Sequence, residues 1–167
     1  NVKSTQNNGH GIWNEGGHGD VRISGCESSS NGLDGLRIQG ALKTLAVDGS
    51  FDNNGESGVN LPEMKADEAI PKMTLSGTAR GNGGYGVNMY RSQSVRGEQM
   101  YLVLQKLESS KNGLDGFRFA NGNQNWDNGG QTFTMDVTES KFNENGKAGF
   151  RLSYNFPYLR TRIAKID

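Results

Sequence analysis

Asn112-Gly113-Leu114-Asp115-Gly116-Phe117-Arg118-Phe119 decides the fold, because the chain repeats its plan six times. Five other copies accompany it: Asn8-Gly9-His10-Gly11-Ile12, Asn31-Gly32-Leu33-Asp34-Gly35-Leu36, Asn54-Gly55-Glu56-Ser57-Gly58-Val59, Asn82-Gly83-Gly84-Tyr85-Gly86-Val87 and Asn145-Gly146-Lys147-Ala148-Gly149-Phe150. The first copy is one residue short, and the Asn-to-Asn steps are 23, 23, 28, 30 and 33 residues. After each second Gly the residues alternate: Leu36-Arg37-Ile38, Val59-Asn60-Leu61, Val87-Asn88-Met89, Phe117-Arg118-Phe119 and Phe150-Arg151-Leu152. A period of two is what a half-buried strand requires. A second short strand lies midway in each unit, at Val21-Arg22-Ile23, Leu45-Ala46-Val47, Met73-Thr74-Leu75, Leu102-Val103-Leu104 and Met135-Asp136-Val137, and Thr161-Arg162-Ile163 begins another.

A type I′ hairpin turn explains one Asn-Gly pair, but not six that each precede the same strand. The frame and helical segment of a leucine-rich repeat are missing. A parallel coil accounts for all copies. The expectation is an all-β, single-stranded right-handed parallel β-helix (solenoid) of about six turns. Glycine is expected to supply a positive φ at the Asn-Gly corner. Asn8, Asn31, Asn54, Asn82, Asn112 and Asn145 then either stack into an amide ladder or each make their own turn and face water.

These motifs resemble the parallel β-helix repeat family, the pectate-lyase-like right-handed β-helix superfamily, over nearly the whole chain. The resemblance implies the fold. It leaves function open among lyases, epimerases, hydrolases, phage spikes, surface proteins and binding modules, so function is argued from a site.

Composition narrows the classes. The chain has 167 residues, 25 of them Gly, with 32% hydrophobic residues, which fits a narrow core of short strands. Lys+Arg and Asp+Glu are each 18, so bulk charge calls for neither nucleic acid nor an anionic membrane. No apolar run reaches membrane-spanning length. Cys26 is the single cysteine and is expected to align with Ser50 and Thr78 as a small structural residue. The absence of Asn-x-Ser/Thr sequons agrees with a bacterial source. The chain opens midway through a turn and closes on the start of another strand. Residues 1–167 are therefore expected to be one β-helical domain cut from a longer protein, covered there by adjoining β-helical turns or domains.

Length variation collects at one corner. Pro62 to Pro71, Tyr90 to Gln99 and Ala120 to Gln131 are the longest loops, and all follow the first strand of a unit. In a solenoid such insertions build a wall on one side, often the binding side. Beside it runs the outward column Trp13, Arg37, Asn60, Asn88, Arg118 and Arg151. Guanidinium forks, amides and aromatic faces suit a polyhydroxylated or carboxylated chain. The expected ligand-binding residues are Arg37, Asn60, Asn88, Arg118, Arg151, Tyr90, Trp126 and Tyr154, with an extracellular, cell-surface or periplasmic setting. A solvated outer face with drifting loop lengths is the competing reading.

Three functions follow: a polysaccharide-binding or surface module, a polysaccharide lyase or epimerase acting on an acidic glycan, and a spacer in a surface or phage-tail protein. Catalysis would draw on Arg118, Arg91, Arg96 or Lys65 as base or carboxylate-neutralising group. The acidic strand-face cluster with which pectate lyases hold calcium has no counterpart here. Asn31-Gly32-Leu33-Asp34-Gly35 and Asn112-Gly113-Leu114-Asp115-Gly116 are similar to calcium-binding turns, but one carboxylate per isolated turn gives too few ligands. His10 and His18 are expected in surface turns, and no cofactor is expected, with calcium as the alternative.

Overall fold

The computed structural model describes residues 1–16, 19–65, 72–91, 99–121, 132–153 and 159–163. Its strands are β1 (Lys3–Thr5), β2 (Ile12–Glu15), β3 (Gly19–Ser29), β4 (Leu36–Ser50), β5 (Val59–Lys65), β6 (Lys72–Thr78), β7 (Val87–Arg91), β8 (Gln99–Glu108), β9 (Phe117–Asn121), β10 (Thr132–Thr138), β11 (Phe150–Ser153) and β12 (Leu159–Ile163). Every pairing is parallel, and the strands stack as a β-solenoid. One sheet runs β2, the first half of β4, β5, β7, β9 and β11. The other runs β1, β3, the second half of β4, β6, β8, β10 and β12. β4 belongs to both sheets because its corner carries no insertion. In later turns residues 66–71, 92–98, 122–131 and 154–158 separate the two strands in sequence, so the three long loops expected there fall largely outside the described residues.

The alternation in the sequence becomes columns. Leu36, Val59, Val87, Phe117 and Phe150 stand in register. The first four are at most 3% exposed, and Phe150 packs on them half-buried. Leu45, Met73, Leu102 and Met135 form a second inward column in the other sheet and are equally buried. The rings of Phe119 and Phe133 stack at 4.8 Å between the sheets, and Phe117 stacks on Phe150 at 4.9 Å. The core is thus a column one to two side chains wide, which is why 32% hydrophobic residues suffice. Pro62 has no N–H for the ladder, and the β4–β5 register slips between Arg37 and Gln39, across from it.

The Asn residues form the ladder rather than separate turns. Asn31 Nδ2 donates to Asn54 Oδ1 at 3.0 Å, Asn54 to Asn82 at 3.1 Å, Asn82 to Asn112 at 3.0 Å and Asn112 to Asn145 at 2.9 Å. Each acceptor oxygen also takes the backbone N–H of the preceding Asn. Asn31, Asn54, Asn82 and Asn112 are all 3% exposed or less, so these bonds replace water that cannot reach them.

Three expectations need correction. In the first turn the ladder residue is Asn7, not Asn8: Asn7 Nδ2 donates to Asn31 Oδ1 at 2.8 Å. The missing residue in that copy is absorbed by moving the ladder position back by one. Nor is positive φ the reason for Gly after Asn. The left-handed residues of this corner are those before the ladder Asn: Gln6, Ser30, Asn53, Gly81, Lys111 and Glu144, with φ between 56° and 65°. Gly55, Gly83, Gly113 and Gly146 are needed for space, since a Cβ on each would collide with the carbonyl oxygen of the Gly one turn below. Finally, Gly25 bulges, so Cys26 pairs with Gly49 rather than Ser50; it remains buried, as a small structural residue should.

Candidate functional site: the outer row of the first sheet

Pairing places Trp13, Arg37, Asn60, Asn88, Arg118 and Arg151 in one row. Five strand steps make it about 24 Å long. The row is wired internally. Arg118 Nη1 donates to Asn88 Oδ1 at 3.2 Å, Asn88 Nδ2 to Asn60 Oδ1 at 3.0 Å, and Asn60 Nδ2 to Asp34 Oδ2 at 2.9 Å. Arg37 Nη1 reaches the same Asp34 oxygen at 3.2 Å.

Asp34 anchors one end. It is fully buried, and its Oδ1 accepts the Ser57 N–H at 3.0 Å. A buried carboxylate is tolerable only when paired and hydrogen-bonded, and Asp34 has both. Asp115 repeats the arrangement: it accepts the Ala148 N–H at 2.9 Å and meets Arg151 Nη2 at 3.2 Å. Each Asp thus caps the backbone at the equivalent position of the next turn. The donor set fits calcium poorly, because these oxygens already face N–H groups and a guanidinium. Among the described residues, no three His, Cys, Asp or Glu side chains gather around a common point.

Charge along the row is uneven. Arg37 and Arg151 are neutralised by Asp34 and Asp115. Arg118 is not: its described contacts are the Asn88 oxygen and the Tyr85 ring, whose centroid lies 5.3 Å from the guanidinium carbon. It is a half-buried cation over an aromatic ring, with no carboxylate partner among the described residues. At the other end Trp13 is 56% exposed, with the His10 ring edge-on at 5.6 Å. His10 is more than a surface turn, since its Nδ1 accepts the Asp34 N–H at 3.1 Å.

The remaining candidates divide. Tyr90 is half-buried, two residues beyond Asn88 on β7. Arg91 ends β7 at 2% exposure with its own interactions, which places it poorly to meet a ligand on the outer face. Lys65 ends β5 and pairs with Ala41 through the backbone. Arg96, Trp126 and Tyr154 lie outside the described residues, as does His18. The sequence reading missed Asp34, Asp115 and Tyr85 as parts of this site. The first two carried a signal in the Asp three residues before an Arg, although Asp115 takes Arg151 of the next turn rather than Arg118.

A second polar cluster occupies the corner before the Asn ladder. Asp52 accepts from Ser50 and Thr78 at 3.1 Å each and from Arg80 Nη2 at 2.9 Å. The hydrogen bond and charge of Asp52 raise the Arg80 pKa above its ordinary value, with Glu108 adding to the effect. Arginine is charged at neutral pH with or without this shift, so the cluster is a fixed brace between turns.

No protein-family model, no curated protein and no solved structure matches the chain.

Proposed function

We propose that the chain is a polysaccharide-binding module that takes an acidic glycan across the outer face of the first sheet, in an extracellular, cell-surface or periplasmic setting. The observation that supports this reading is Arg118. A guanidinium over the Tyr85 ring and bonded to Asn88, without a counter-charge among the described residues, has N–H donors left for a carboxylate or sulfate. The half-buried Asn88 amide and the exposed Trp13 extend the face along the stack, while Asn60, 8% exposed and bonded to Asp34 and Asn88, supports them from below. This row suits an extended chain rather than a small molecule in a cleft.

A second reading draws on the same geometry. The row satisfies much of its own hydrogen bonding, as a structural spacer in a surface or tail protein would.

The test is a glycan array including uronate and sulfated polymers, followed by a turnover assay on each hit. Binding to acidic polymers is expected, and Arg118→Ala should weaken it by about 1–3 kcal/mol. Arg37→Ala should weaken it less, because Arg37 is already paired. An ultraviolet-absorbing unsaturated product would move the protein to the lyase class. Absence of any glycan binding would leave the spacer reading.

A further inference from the structure

We propose that Asn8 is a site of spontaneous deamidation, and that the stack protects the ladder copies of the same dipeptide. In Asn-Gly the glycine nitrogen attacks the asparagine Cγ, a C–N bond forms, and ammonia leaves with the former side-chain nitrogen. Water then opens the resulting succinimide at either carbonyl, giving Asp or isoAsp. The net change is one water consumed and one ammonia released, with no oxidant or reductant.

Both reacting groups are engaged in the ladder. Gly32, Gly55, Gly83 and Gly113 each donate their N–H to the carbonyl of the Asn one turn below, at 2.7–2.9 Å. The side-chain amides of Asn31, Asn54, Asn82 and Asn112 are fixed to their neighbours and buried. Cγ cannot swing toward the next nitrogen unless the stack opens, and water is excluded from the site.

The one-residue contraction in the first turn removes Asn8 from this arrangement. Asn7 takes the ladder place, and Asn8 is exposed with no side-chain hydrogen bond among the described residues. The Gly9 N–H has no acceptor among the described residues, and a Cβ on Gly9 would meet nothing within 4 Å. An isoAsp at position 8 would add a methylene to the backbone beside the Leu33 N–H to Gly9 carbonyl bond of 3.1 Å. It would also lie two residues from His10, which braces Asp34 and contacts Trp13.

The experiment incubates the folded protein at mildly alkaline pH and follows each Asn-Gly peptide by mass spectrometry, with isoaspartyl methyltransferase labelling as a second readout. A parallel sample is kept unfolded in guanidinium. Asn121-Gly122 and Asn128-Gly129 are read on their own peptides. In the folded chain Asn8 should convert at least about tenfold faster than Asn31, Asn54, Asn82 and Asn112, which react only from opened forms. Unfolding should bring the copies to similar rates, and Gly9→Ala should slow conversion at Asn8. Equal rates at Asn8 and the ladder positions in the folded chain would overturn the proposal, as would an Asn8 that stays intact while the unfolded copies convert.

Discussion

A glycine after asparagine invites explanation by backbone freedom, and here that explanation fails. Gly83 has an ordinary φ; what it lacks room for is a Cβ, because the Gly55 carbonyl oxygen lies directly below it. The residue that turns the corner is Gly81, and its equivalents Ser30, Asn53, Lys111 and Glu144 adopt positive φ despite their side chains. Gly83→Ala should therefore destabilise the protein by about 1–3 kcal/mol through overpacking against backbone. Gly9→Ala, with open space around it, should stay within about 0.5 kcal/mol of the parent. Urea melts of the two variants separate the steric account from a conformational one, which would penalise both.

Strands were the legible elements. The alternation at Val59-Asn60-Leu61 and Met73-Thr74-Leu75 locates each strand and its buried face, and burial of Val59, Leu61, Met73 and Leu75 at 3% or less follows it. The row from Arg37 to Arg151 was equally readable, since strands in register carry equivalent positions side by side. Three things were not readable. A copy one residue short does not say which residue is skipped, and only stacking contacts choose Asn7 over Asn8. The bulge at Gly25 shifts Cys26 without a hydrophobic cue. The partner of Asp115 lies 36 residues away at Arg151, and no local pattern marks so distant a pair. Since each column depends on its register, Val87→Asp should unfold the domain: an unpaired charge buried among Val59, Phe117 and the facing sheet costs several kcal/mol. Circular dichroism and a denaturant melt check this, and a cooperative, folded Val87→Asp protein would contradict the inward placement of that column.

The whole molecule is a stack in which each turn touches its neighbours, so its pairings join residues some two to three dozen positions apart. Stability in such an array is a sum over turns and interfaces, and opening begins at the ends. The Asn ladder runs the length of this stack and reports on its integrity at every level. It ties the fold to the candidate site, because the strands of the outer row begin five residues after each ladder Asn. The most direct test of the stacked register is hydrogen exchange of the asparagine side-chain amides, followed by nuclear magnetic resonance. The amides of Asn54 and Asn82 should exchange slowest, those of Asn31 and Asn112 next, and that of Asn8 at the rate of a free side chain. Ladder amides exchanging as fast as Asn8 in the native protein would contradict the solenoid described here.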